Sequence, residues 1–276
     1  MRRFAVAMML VGLVQSAQAA DMPDLPILRG SLIDGPRSYV NWEGFYVGAQ
    51  GAYGSSDHNF NGATSDMTAQ QLALTTIENE YHISGWPVIG GKVSHQSSAF
   101  GAFAGYNWQW DEIVIGIDGS YMHGNFGASA SGDMARSFVT SDDFNNNVRV
   151  RSSAAINFTD VGTIRGRVGY AIGSFLPYAF GGVALGLADS SRTNRIDASG
   201  TYVGTNIPPL PNWGPVTYTA GESKTSRLMV GYTFGVGTEV MLYNGLFARA
   251  EWEYDRFSGP IDTNINTVRG GLGYRF

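Results

Sequence analysis

Apolar and polar residues alternate along much of the chain with a period of two. In the stretch 227–241, for example, Leu228 and Tyr232 have one parity and Glu239 has the other. This period is that of a β-strand whose two faces meet different surroundings. We predict eight strands, at 43–54, 99–110, 113–122, 161–172, 177–187, 227–241, 246–257 and 263–276. The faces of 177–187 cannot be assigned from the alternation.

The last strand carries the clearest pattern. Leu272, Tyr274 and Phe276 share one face, and Arg269 and Arg275 share the other. An apolar, aromatic-ended face opposite a cationic face suits a barrel wall between lipid and a polar lumen. We therefore interpret Leu272, Tyr274 and Phe276 as a signal for the barrel-assembly machinery.

The connections alternate in length. Those near 111, 174 and 244 are a few residues long, whereas 55–97, 123–158 and 188–225 are several times longer. Short periplasmic turns and long outer loops are typical of outer-membrane barrels, and an even strand count leaves both termini in the periplasm. The predicted fold is all-β, an eight-stranded antiparallel up-and-down transmembrane β-barrel. A soluble lipocalin-like barrel is the structural rival, but its charges would face outward.

The N-terminal residues predict export. Met1-Arg2-Arg3 is a basic start, 4–14 is almost wholly apolar, and Ala17-Gln18-Ala19 is a small-x-small cleavage site. These features are those of a secretory signal peptide. We divide the chain into a signal peptide at 1–19, a flexible, proline-rich periplasmic segment at 20–42 and a barrel at 43–276.

Composition supports a membrane barrel and excludes some functions. Gly is 37 of 276 residues, charged residues are 15% and aromatic residues 13%, a glycine-rich and charge-poor balance. There is no cysteine, so disulfides and cysteine metal sites are excluded. Loss of 1–19 removes two arginines and no acid, which takes the net charge from −5 to −7. A mildly acidic chain without a basic stripe is a poor candidate for nucleic-acid binding.

Charged residues on the inner parity are the candidate functional residues, because a charge facing lipid is costly. An eight-stranded interior is just wide enough to be filled by side chains, so we favour an interior packed with ion pairs. The alternative is a narrow, water-filled path for small solutes, lined by arginines. The predicted lumen-facing charges are Asp118, Arg165, Arg167, Glu239, Arg249, Glu251, Glu253, Arg269 and Arg275.

The histidines raise the question of ligand capture. His58, His82, His95 and His123 fall in or beside the first two predicted outer loops. Imidazole binds metals and haem iron, so weak hemin binding is an alternative. No H-x-x-x-H or similar spacing is present, and we favour solvated side chains with no cofactor and no metal.

Catalysis has little support in the sequence. Only His123, just past Ser120 and Asp118, combines a base with a nucleophile near a strand end. Ser120 and His123 have opposite parities if the strand continues. We therefore predict no catalytic residues.

Three stretches together resemble the small outer-membrane immunogenic protein family, which has hemin-binding members and shares the barrel of the outer-membrane protein A superfamily. They are residues 42–48 (WEGFYVG), 162–171 (GTIRGRVGYA) and 266–276 (NTVRGGLGYRF). The resemblance implies a role in envelope integrity and surface exposure, with hemin binding or slow solute passage in some members. It implies no catalytic residues.

The expected function is therefore structural and surface-exposed, in the outer membrane of a Gram-negative cell. The expected partners are outer-membrane lipid, lipopolysaccharide and the barrel-assembly machinery, and no nucleic acid is expected. We expect a monomer, since no interface stripe stands out. Narrow porin-like passage and hemin capture by the long loops remain the alternatives.

Overall fold

The computed structural model describes residues 40–205, 209–259 and 261–276. The predicted signal peptide and most of the proline-rich segment lie outside these residues. The regular elements follow one another in chain order, with a 3-10 turn at Ile83–Gly85 after α2. They are β1 Gly44–Asn59, α1 Ser65–Gln71, α2 Thr76–Tyr81, β2 Lys92–Trp110, β3 Ile113–Val139, β4 Phe144–Tyr170, β5 Phe175–Tyr202, β6 Trp213–Tyr243, β7 Leu246–Phe257 and β8 Asp262–Arg275.

These eight strands close into one barrel, in which each strand pairs with its chain neighbours and β8 pairs with β1. Every pairing in the described part of the chain is antiparallel. The predicted fold class is confirmed. Aliphatic and aromatic side chains are exposed on the outer face of all eight strands, as a wall in contact with lipid requires. Within the described residues, no helix is long and apolar enough to cross a membrane.

Two of the three predicted outer loops are wrong. Strands β3 and β4 have 27 residues each, β5 has 28 and β6 has 31, whereas β7 has 12. The stretches 123–158 and 188–225 are therefore mostly strand. They continue four neighbouring strands beyond the barrel as a four-stranded sheet, which we call the extracellular sheet.

A row of β-bulges marks the rim where the barrel becomes the extracellular sheet. The register shifts between His123 and Phe126, between Phe158 and Asp160, and between Ala188 and Ser190. A bulge bends a strand and re-aims the residues beyond it. On β4 the buried parity consequently changes from odd numbers, as in Arg165, to even numbers above the bulge.

The remaining predicted loop, 55–97, contains the two short helices. Leu72, Ile77, Ile83 and Trp86 pack on Val148 and on neighbouring apolar residues of the extracellular sheet. This helical cover buries one face of the sheet and leaves the other exposed. The four-stranded extension is thus a packed element of its own.

The predicted boundary between the flexible segment and the barrel falls inside packed structure. Trp42 is 1% exposed and joins an apolar cluster inside the barrel. Its backbone N–H donates to Gln109 Oε1 at 2.6 Å, and its carbonyl accepts from Asn107 Nδ2 at 3.1 Å. The packed barrel therefore includes Trp42.

Candidate functional site

The middle of the barrel holds a layer of buried charges, and Arg165 on β4 is one of its two centres. Its Nε donates to Asp118 Oδ1 at 3.0 Å, and its Nη1 lies 3.1 Å from Glu251 Oε2. Arg165 also pairs with Glu253. Alternation on β3, β4 and β7 aims all four side chains inward, so three carboxylates surround one guanidinium.

Glu239 on β6 is the second centre of the charged layer. It accepts two hydrogen bonds from Arg167, at 2.7 and 3.0 Å, and a third from Arg249 Nη2 at 2.6 Å. Arg249 Nη1 reaches Asp118 Oδ2 at 3.1 Å. Because Asp118 also pairs with Arg165, the two centres form one network across the lumen.

The structure places eight of the nine predicted lumen charges in this layer, each at most 4% exposed. Arg269 joins it through Glu253 Oε1 at 2.8 Å. Arg275 does not, because it lies half-buried at the periplasmic mouth and donates to the carbonyl of Glu43 at 3.2 Å. Arg275 has the inward parity of Arg269, but it is the last residue of β8 and lies beyond the charged layer.

Several members of the site are not among the predicted lumen charges. Asp255 faces inward one alternation step beyond Glu253, and its Oδ2 lies 3.6 Å from Arg269 Nη2. Tyr46 and Tyr178 donate their hydroxyls to Asp118 and Glu251, each at 2.7 Å. The alternation carried the signal for Asp255 and Tyr46. The alternation did not identify Tyr178, because the faces of its strand could not be assigned from the sequence.

An aromatic layer lies between the charged layer and the periplasm. The guanidinium carbon of Arg249 is 3.8 Å from the centre of the Phe103 ring, and that of Arg165 is 4.2 Å from the centre of Phe180. These cation–π contacts hold the charges against the layer below. The layer consists of Trp42, Tyr46, Phe103, Val114, Ala171, Leu176, Tyr178, Phe180 and Phe247.

A second apolar layer lies between the charged layer and the outside. It packs side chains of the barrel rim against the first residues of the β1–β2 connection. Its larger members are Phe60, Ile89, Met122, Phe126, Ile156, Phe158, Phe257, Ile261 and Ile265. Charged groups are therefore enclosed between two apolar layers along the barrel axis.

The histidines do not form a binding cluster. His58 is fully buried, and its Nδ1 lies 3.0 Å from Thr263 Oγ1. His82, His95 and His123 are exposed, and His123 Nδ1 lies 2.9 Å from Asp160 Oδ1. Among the residues that the structure describes, no group of three His, Cys, Asp or Glu side chains could hold a metal ion.

Ser120 and His123 lie on opposite sides of the barrel wall. Ser120 faces the lumen, where its hydroxyl accepts from Gln50 Nε2 at 2.9 Å and from Arg269 Nη1 at 3.1 Å. His123 is exposed on the outer side. The two residues therefore do not form a nucleophile and base pair.

The proposed assembly signal lies on the outer face of the closing strand. Leu272, Tyr274 and Phe276 are all exposed, and the Phe276 ring packs on the rings of Phe45 and Tyr274 at 5.9 and 5.2 Å between centroids. Its backbone N–H donates to the carbonyl of Phe45 at 2.9 Å. The structure places these residues, and their role in assembly stays a prediction.

A closed antiparallel barrel with an apolar outer face and a charged interior defines an integral outer-membrane protein. The model of the outer membrane protein beta-barrel domain family matches residues 5–276, and the chain belongs to this family. The 22 kDa outer membrane protein of Rhizobium leguminosarum bv. viciae is 27% identical over 86% of this chain and 79% of its own length. The 31 kDa outer-membrane immunogenic protein of Brucella melitensis biotype 1 is 25% identical over 95% of this chain and 94% of its own.

Solved structures are similar at lower identity. Ail, the attachment invasion locus protein of Yersinia pestis, has 14% identity and a TM-score of 0.35, covering 85% of this chain and 100% of Ail. Neisserial surface protein A has 12% identity and a TM-score of 0.33, covering 84% of this chain and 97% of its own. The family and the named relatives place this protein in the outer membrane of a Gram-negative bacterium.

Proposed function

We propose that the protein is a closed structural barrel that supports the integrity of the outer membrane and displays a rigid sheet outside the cell. The observation that carries this proposal is the charged layer, enclosed between two apolar layers. The opposite charges of the buried ion pairs neutralise one another. The lumen of an eight-stranded barrel is narrow enough for such side chains to fill it. The exposed aliphatic and aromatic side chains on the outer face of the barrel form an apolar belt, which would contact outer-membrane lipid and lipopolysaccharide. The protein would act as a monomer.

Two alternatives have weaker support. A narrow solute path would need arginines with free guanidinium groups, whereas Arg165, Arg167 and Arg249 each engage carboxylates. Hemin capture would need accessible, convergent histidines, whereas His58 is enclosed and bonded to Thr263.

Deletion of the gene, with complementation by the wild-type gene, tests the structural role against the pore. A structural barrel predicts that deletion increases the entry of a hydrophobic dye that intact outer membranes exclude. It also predicts unchanged uptake of small hydrophilic solutes. Unchanged dye entry together with slower solute uptake would contradict the proposal and favour a pore.

A further inference from the structure

A cavity of about 160 Å³ lies at the rim, beside the extracellular sheet. On one side β6 continues upward as the edge of the sheet, and on the other β7 ends at Phe257 and turns through Ser258 and Gly259. We call this space the rim cavity. It exists because neighbouring strands of the wall have unequal lengths.

The floor of the rim cavity is apolar. Ile156, Ala188, Met229 and Ile261 line it, and all four belong to or pack on the outer apolar layer of the barrel. A dry apolar cavity of about 150 Å³ in another protein is large enough to bind benzene. The floor therefore suits one aromatic ring or a chain of about six carbons.

The wall of the rim cavity is cationic. Arg192, Lys224 and Arg227 line it together with one carboxylate, Glu222. Hydrogen bonds from Lys224 and Arg192 lower the pKa of Glu222 to about 2, so this carboxylate is already charged and engaged by both cations. The backbone of Arg227 pairs with Ala188 on β5. Its side chain has no hydrogen bond or ion pair to any residue in the described part of the chain, which leaves the guanidinium free for an anion.

The rim cavity adjoins the lipid-facing wall. Leu228 and Val230 also line it, and their side chains are exposed on the outer face of β6. A molecule dissolved in the outer leaflet would meet the apolar residues first and the guanidinium at the polar end. We propose that the rim cavity binds a small amphipathic carboxylate, with its ring or short chain on the floor and its carboxylate on Arg227.

Fluorine NMR of the protein in lipid nanodiscs tests the proposal with two probes, 4-fluorobenzoate and the uncharged 4-fluorobenzyl alcohol. We expect the acid to bind about tenfold more tightly than the alcohol, because a hydrogen bond between two charged groups is stronger than one to a neutral hydroxyl. Arg227→Gln should reduce the affinity for the acid to that for the alcohol and leave the alcohol unchanged. Arg195→Gln, at an exposed arginine on the far face of the sheet, should change neither.

A second variant tests the floor. Met229→Trp should fill the cavity and weaken the binding of both probes, while the heat-dependent gel mobility of the folded barrel is retained. The proposal is overturned if the acid binds no better than the alcohol, if Arg227→Gln leaves the acid unaffected, or if both probes bind the Met229→Trp protein as they bind the wild type. Signals equal to those of empty nanodiscs would overturn it as well.

Discussion

Individual buried charges determine what the interior can do. Each guanidinium of the charged layer is held by carboxylates, and those of Arg165, Arg167 and Arg249 also lie over aromatic rings. Removing one partner of such a pair leaves the other charge buried without compensation, which costs far more than the same loss at the surface. The loss in free energy of unfolding on removing a carboxylate is therefore set more by its burial than by the ion pair itself.

Glu239→Gln tests this dependence on burial against a matched surface pair. Within the described residues, Glu239 is the one carboxylate that pairs with Arg167, and it is shared with Arg249. We expect a loss of about 3–5 kcal/mol in the free energy of unfolding, measured by urea titration in lipid vesicles.

Asp133→Asn is the control, because Asp133 is likewise shared by two arginines, Arg149 and Arg151, but on the exposed face of the extracellular sheet. We expect this variant to lose less than about 1 kcal/mol. Equal losses in the two variants would show that burial does not set the energetic weight of the pair.

Trp42 is expected to close the periplasmic end of the barrel. Trp42→Ala removes a fully buried ring, and such truncations cost about 3–5 kcal/mol. Trp110→Ala, at a largely exposed tryptophan near the same end, should cost much less. The measurement is the midpoint of unfolding in urea. Unfolding is detected by the change in gel mobility, because this signal, unlike fluorescence, does not depend on the number of tryptophans. Similar midpoints for the two variants would argue against a packed Trp42.

Alternation predicted the charged layer well, and its failures have physical causes. Each of Asp118, Arg165 and Glu239 lies within a long run of regular parity, so its face could be read directly. Trp42 precedes the first strand, and its burial depends on Asn107 and Gln109, more than 60 residues away in the chain. No local pattern carries such a contact.

At the scale of elements, the bulges explain where the sequence prediction stopped. Four predicted strand ends, at 122, 161, 187 and 227, fall beside the register shifts of the rim. There the composition of the outer face changes from apolar to polar, because the strands leave the lipid, and bulges interrupt the regular period. The strands continue beyond this point, but the apolar outer face and the regular period of two, which identify a strand in the sequence, are both lost there. The unbroken strand β7 was predicted with its observed bounds, Leu246–Phe257.

The helical cover is expected to be essential for order in the extracellular sheet but not in the barrel. Leu72→Asp places a charge at a fully buried position against the sheet. We expect proteases to cleave the sheet in intact vesicles, while the gel mobility of the folded barrel persists. Leu74→Asp, two residues away and 96% exposed, should leave cleavage unchanged. If proteases cleave neither variant, the extracellular sheet is ordered without its helical cover.

At the scale of the molecule, an apolar belt surrounds an interior of three layers. Aromatic side chains fill the periplasmic end, ion pairs fill the middle and apolar side chains fill the outer end. Each layer comes from inward positions on most of the strands, so closure of the barrel and closure of the lumen have the same origin. In the proposed structural role, this wall would be stable and its interior would be closed to solutes.

Single-channel conductance of the refolded protein in a planar bilayer tests this closed interior most directly. The account predicts a silent bilayer in which insertion is demonstrated by protease protection. It also predicts silence for Arg167→Gln, because the layers above and below remain. Reproducible discrete current steps in the wild type, altered when Arg165 or Arg167 is neutralised, would contradict the account and show that the charged layer is a water path.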